Sequence, residues 1–174
     1  MCLECDGFSH EQVMRGLDLK IRTYGWALTQ VDEGPSAFSY TIGLVESYGH
    51  PELIALDFDA KHHHPLISWL VDDIVEHGRI TEARLALGGL RCVEVHPDHL
   101  VSDFFGGWAN RYGHLPRPGQ AMQVLLPDEA YCECHAHAVR RLDRPGPLPP
   151  ALGHRANRAQ RRAAGRRGPG GRAA

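Results

Sequence analysis

The sequence predicts an α+β fold, a mostly antiparallel sheet packed by two main helices, in a single domain with a disordered basic C-terminal tail. Three observations point there. Two segments carry apolar residues at helical spacing, several short runs alternate or concentrate apolar residues as strands do, and several connections between those runs are too short for parallel crossovers. At 174 residues with 43% apolar content, the chain is long enough for one domain with its own core.

The first helix is expected from His10 to Tyr24. Ser9 and Gln12 have the spacing of a capping box, in which the hydroxyl takes the amide three residues on and the glutamine reaches back. Val13, Leu17, Ile21 and Tyr24 then share a face, and Gly25 supplies a left-handed stop. Trp26 to Val31 reads as a strand, Asp32-Glu33-Gly34-Pro35-Ser36 as turn chemistry, and Ala37 to Leu44 as a strand with Phe38, Tyr40, Ile42 and Leu44 on one side. Leu53 to Phe58 is apolar on both faces, as a central strand requires. Pro65 suits the first turn of a second helix that runs to His77 and stops at Gly78. It would bury Leu66, Ile67, Leu70, Val71 and Ile74 and turn Asp72, Asp73 and Glu76 outward. Leu90 to His96 reads as a strand, Asp98 as the cap of a short helix through Phe105, and Ala121 to Leu126 as the last strand.

Two neighbouring runs are the most distinctive part of the chain: Phe38-Ser39-Tyr40-Thr41-Ile42-Gly43-Leu44 and Tyr48-Gly49-His50-Pro51-Glu52-Leu53. Together they read as strand, tight loop, strand, and they resemble the signature of the domain of unknown function 4262 family. The resemblance extends over Cys2 to Pro127 and is strongest from Gly25-Trp26 to Leu53. It implies a fold and boundaries but no reaction.

Charge divides the chain. Residues 1–143 carry 11 basic and 21 acidic side chains, a net −10, whereas residues 144–174 carry 8 basic and no acidic ones, a net +8. The body is thus the domain, residues 1–143. Residues 144–174 are rich in Arg, Pro, Gly and Ala, with little to bury, and are expected to be disordered apart from a transient helix near Arg155 to Ala164. The tail could make weak, nonspecific, salt-sensitive phosphate contacts with nucleic acid, though it has no aromatic residue for stacking on bases. It could equally fold back on the acidic body. No apolar run is long enough to span a bilayer and the first residues lack a signal-peptide pattern, so the expected location is the cytoplasm, with no membrane partner. There, an odd count of five cysteines favours thiols or metal ligands over a disulfide framework.

Cys2-x-x-Cys5 stands at one end of the domain and Cys132-Glu133-Cys134-His135-Ala136-His137 at the other. Zinc takes four thiolate or imidazole ligands in a tetrahedron, and a two-residue gap lets both sulfurs of a segment face one ion. The expected site is structural Zn2+ held by Cys2, Cys5, Cys132 and Cys134, with His135 and His137 as substitutes, clipping the ends of the domain together. The competing readings are loose terminal thiols, or a redox pair at Cys2 and Cys5, which lacks the usual βαβ context. Closely spaced N-terminal cysteines match what the family resemblance implies. The segment after the last strand departs from the Pro-Trp ending that it implies.

Tyr40, Thr41, His50 and Glu52 are the best candidates for a small-ligand or enzymatic pocket. They sit beside Gly43 and Gly49, where backbone can approach a ligand, and Glu52 could orient His50 as an acid or base. They form no recognised catalytic spacing, and the plainer reading is that they satisfy hydrogen bonds within the sheet and core. His62-His63-His64 reads as a solvated helix start, because consecutive residues there point apart. His96 and His99, with Cys92, read as surface histidines beside a thiol. Phe104, Phe105, Trp108 and Tyr112 read as core aromatics. No phosphate-binding glycine loop is present.

Overall fold

The computed structural model describes residues 7–31, 37–56, 60–127 and 140–148. Five strands form one sheet: β1 (Ala27–Val31), β2 (Phe38–Ile42), β3 (Glu52–Leu56), β4 (Arg91–Glu94) and β5 (Ala121–Leu125), in the order β1-β2-β3-β5-β4. Every pairing is antiparallel except β3 with β5, which is parallel. The α+β expectation holds. The parallel pair is possible because a long helical excursion separates those two strands.

The helices are α1 (His10–Tyr24), α2 (Leu44–Tyr48), α3 (His63–His77), α4 (Glu82–Gly88) and α5 (Ser102–Tyr112). Alternation along β3 sorts them into two layers. Ile54 and Leu56 join a cluster with Phe38, Tyr40 and Ile42 of β2, Ile21 of α1, and Phe105 and Trp108 of α5. Leu53 and Ala55 join a second cluster with Ile67, Leu70, Val71 and Ile74 of α3. The sheet is therefore covered on both sides, and β2 and β3 are buried along their whole length. Burying each large aliphatic side chain contributes about 1.5–3 kcal/mol, so these two layers hold the fold.

Local signals explain α1. The Ser9 hydroxyl accepts the Gln12 amide, the Gln12 side chain accepts the Ser9 amide, and Gly25 ends the helix at φ 80°. Ile21 is buried and Leu17 packs against the core, but Tyr24 is 66% exposed. Tyr24 therefore lies off the buried face, and its carbonyl accepts the Tyr48 hydroxyl.

Other expectations are corrected. Leu44 does not continue the strand face of Phe38, Tyr40 and Ile42; it opens α2 and packs in the α3 cluster. α4 was not anticipated. The helix expected after Asp98 is instead a 3-10 turn at Pro97–His99 capped by the His96 side chain, followed by α5, which extends to Tyr112. α5 kinks at Phe105 (φ −124°, ψ 33°), next to the point where the Tyr40 hydroxyl accepts the Gly107 amide at 2.7 Å. A side chain inserted into the helical ladder is a recognised cause of such a bend. A Cβ at Gly107 would stand 2.7 Å from that hydroxyl, so the missing side chain is what lets α5 lie this close to β2.

Asp73 does not face solvent; it is buried at 3% exposure. Residues 144–148, which composition assigns to the tail, lie against the body, and Leu148 packs on the core cluster. The remainder of the expected tail, residues 149–174, and Asp57 and Phe58 of the strand expected at 53–58, lie outside the described residues. No helix among the described residues is long and apolar enough to cross a membrane.

Candidate functional site

The polar centre of the molecule lies where β2, α2 and the start of β3 meet. Glu52 and Thr41 are both fully buried. One Glu52 carboxylate oxygen accepts the Thr41 hydroxyl at 2.6 Å, and the other accepts the amides of Gly43 at 2.9 Å and Val45 at 3.2 Å. The Thr41 oxygen in turn accepts the Leu53 amide at 2.8 Å. Gly43 is the N-cap of α2 and has no side chain to offer, so the free amides of this five-residue helix are capped by a carboxylate from a neighbouring strand. A negative group also suits the positive end of a helix.

Burial pushes the Glu52 carboxyl up to about 7, against the pull of Thr41 and of the Val45, Gly43 and Leu44 amides, which favour the ionised form. This is a carboxyl able to take up or release a proton near neutral pH. Every hydrogen bond it makes is nonetheless to the chain itself.

The four pocket candidates do not converge. Tyr40 points its hydroxyl into α5, where it accepts Gly107, and burial raises its pKa. His50 is buried at 8% exposure, and its Nδ1 lies 2.7 Å from the Pro51 carbonyl, which that nitrogen reaches as an N–H donor. Burial lowers the His50 pKa, so the neutral ring is favoured. Glu52 does not orient His50, because its carboxylate is committed to Thr41, Gly43 and Val45. Only Thr41 and Glu52 act together.

Three further polar ties were not legible in the sequence. His63, expected to be solvated, is fully buried, with Nδ1 2.9 Å from the hydroxyl of equally buried Ser39; His62 and His64 are exposed. This pair fixes the start of α3 to β2. Asp73 accepts the Thr81 amide at 2.6 Å and lies 3.3 Å from the Arg84 guanidinium, which holds α4 against α3. Burial opposes ionisation of Asp73, but Thr81 and Arg84 outweigh it and keep the carboxyl below its usual range. His99, expected at the surface, is buried, with Nε2 2.9 Å from the Arg144 carbonyl. On the outer side of α5, Arg111 pairs with Asp18 of α1 and with Glu46 of α2, the latter at 2.9 Å.

Burial raises the Cys92 thiol to about 11, which leaves it protonated and unreactive. Among the described residues, no group of three or more His, Cys, Asp and Glu is placed to hold a metal ion. The expected zinc ligands Cys2, Cys5, Cys132, Cys134, His135 and His137 lie outside the described residues.

A family model described as a domain of unknown function (DUF4262) matches residues 20–131. No curated protein and no solved structure matches the chain.

Proposed function

The chain belongs to the DUF4262 family, and from that premise we propose that it is an α+β module whose two cysteine-bearing segments are clipped together by one structural zinc ion. One observation supports this reading. Leu17 and Ile21 of α1 pack in the same cluster as Leu142 and Leu148 of the C-terminal segment, so both elements lie on one side of the sheet. Cys5 and Cys2 precede the Ser9 cap by four and seven residues, and Cys134 and Cys132 precede Arg140 by six and eight. Each cysteine is thus tethered to an element of that layer by a short stretch of chain, each residue spanning at most about 3.6 Å. The chemistry of the ligand set adds support: Cys2, Cys5, Cys132 and Cys134, with His135 and His137 as substitutes, are the donors zinc prefers.

Such a clip acts by folding linkage rather than by catalysis. Binding energy at a site absent from the unfolded chain becomes folding energy. Glu52, Thr41 and Tyr40 are engaged by internal hydrogen bonds, which suits a module held together by its core polar node. Elemental analysis of protein purified without a His tag should find one zinc per chain, and a chelator should lower the melting temperature. Cys2→Ser and Cys132→Ser should each release the metal. Substoichiometric zinc together with a melting temperature indifferent to chelation would reject the reading.

A second reading concerns nucleic acid. The net +8 of residues 144–174, with no acidic side chain, favours weak phosphate contact. Binding to DNA or RNA that weakens steeply with salt, and that disappears on deletion of residues 149–174, is the expected outcome. Full-length protein that binds neither at low salt excludes it.

A further inference from the structure

Residues 140–148 make a strap over one face of the sheet, against β5 and the turn that follows β4, and the strap is held chiefly through its backbone. The Gln123 side chain, itself fully buried, donates to the Arg140 carbonyl at 2.8 Å and accepts the Leu142 amide at 2.7 Å. The His96 amide donates to the Leu142 carbonyl at 2.7 Å. Two more bonds follow, His99 Nε2 to the Arg144 carbonyl at 2.9 Å and the Gly146 amide to the Asp98 carboxylate at 2.9 Å. Leu142 is the anchor, with no exposed surface, in one cluster with Val95, Leu100 and Ala121.

The seat and its occupant differ in one respect: Gln123, His96, Asp98 and His99 all lie within residues 20–131, which the family model matches, whereas the strap lies beyond them. A buried side-chain amide that reads both a carbonyl and an amide of a passing chain recognises peptide as such. A deep apolar seat for one leucine supplies selectivity. The strap also carries its own brace, since Arg141 grips Asp143 through two hydrogen bonds of 2.8 and 2.6 Å that shape the turn after Leu142.

We propose that the face formed by Gln123, His96 and His99 is a peptide-binding site, and that residues 140–148 occupy it in cis as a displaceable latch. The partner it fits is a peptide segment with a leucine anchor, read through the backbone on both sides of that leucine. A tethered occupant acts at an effective concentration in the millimolar range, so the intact chain excludes peptides in trans until the latch is released. This inference is independent of the zinc reading.

Two measurements on the full chain test it. In native-state hydrogen exchange of the wild-type protein, amides of residues 140–148 should exchange at least about 100-fold faster than those of β5, through an opening of the latch alone. Exchange of the two at one common rate would make the strap an inseparable part of the core and overturn the proposal. In the second measurement, the probe is a fluorescein-labelled synthetic peptide with the sequence of residues 140–148, read by polarisation. Leu142→Asp protein should bind it at least about tenfold more tightly than wild type does, and a peptide carrying the same substitution should not bind. A folded Leu142→Asp protein that ignores the wild-type peptide overturns the proposal. If that variant does not fold, the exchange measurement decides alone.

Discussion

The Thr41 hydroxyl donates to the Glu52 carboxylate at 2.6 Å in a place where neither residue exposes any surface. With the Gly43 and Val45 amides, it makes three donors converge on one buried carboxyl. That carboxyl titrates near 7 in the folded protein because burial outweighs those donors.

Stability should therefore depend on pH through Glu52. Its ordinary value is 4.5 and its folded value about 7, so between these the folded protein holds a proton that the unfolded chain has released. Stability contributed by this group is fully present below 4.5 and is lost as pH rises through about 7, by about 3 kcal/mol in all. His50, whose pKa burial lowers from its ordinary 6.5, contributes in the opposite sense: its share is present above 6.5 and is lost as pH falls below it. The difference between wild type and Glu52→Gln isolates the carboxyl. Urea denaturation at intervals from pH 5 to 8 should show the wild type losing stability relative to the variant, and parallel curves would refute the assignment.

Thr41→Val tests the other half of the relationship. Valine keeps the shape but leaves the buried Leu53 amide without its acceptor and Glu52 without its shortest donor. An unsatisfied buried donor costs about 1–3 kcal/mol, so a loss of about 2–3 kcal/mol in chemical denaturation is expected. A loss below about 0.5 kcal/mol would mean that water replaces the hydroxyl, contrary to the burial seen here.

Asp73 should show the reverse pH behaviour. Its folded pKa is depressed, so its contribution is present above its ordinary value of 3.8 and is lost as pH falls through the lower folded value. At pH 7, Asp73→Asn should cost about 2–3 kcal/mol, because a charged acceptor for the Thr81 amide and the Arg84 guanidinium is lost. The acid limb of its stability curve, measured below pH 4, should be flatter than that of the wild type. Thr81→Ala should cost about 1 kcal/mol, since the Thr81 hydroxyl caps α4 by accepting the Arg84 amide.

What could be read in advance follows the range of the interaction. α1 was legible to the residue because Ser9, Gln12 and Gly25 act within a turn of the helix ends. The strands were legible to within two residues where apolar alternation marks them. α2 was not, because its cap comes from Glu52, beyond the helix itself, and five residues between glycines look like a loop. α4 had a readable cap in Thr81, but its seven residues include none that is buried, so no apolar stripe announced it. Helical amphipathicity alone places Asp73 toward solvent, because it cannot see Arg84 arriving from the next helix. Thr41 and Glu52 were singled out by their closeness to Gly43, and their partnership is real. Its purpose, capping α2, depends on strand register, and so does the tie between Ser39 and His63, residues 24 positions apart.

Gly43 and Gly49 flank α2 and both have positive φ, 112° and 65°, yet they should respond differently to alanine. At Gly49 a Cβ would meet nothing within 4 Å, so only the left-handed backbone is penalised, by about 1 kcal/mol. At Gly43 a Cβ would stand 2.8 Å from the Gly25 carbonyl and 3.1 Å from the Ile21 side chain. The first of those is backbone at the end of α1, which cannot rotate away. Relieving the clash must shift either that helix end or the Gly43 amide that Glu52 accepts. Gly43→Ala should therefore cost about 3 kcal/mol or more, the backbone strain and the broken contact adding together. It should also change the pH dependence of stability assigned to Glu52, whereas Gly49→Ala should leave that dependence unaltered. Equal losses for the two variants would show that the junction of α1, α2 and β3 is looser than these distances imply.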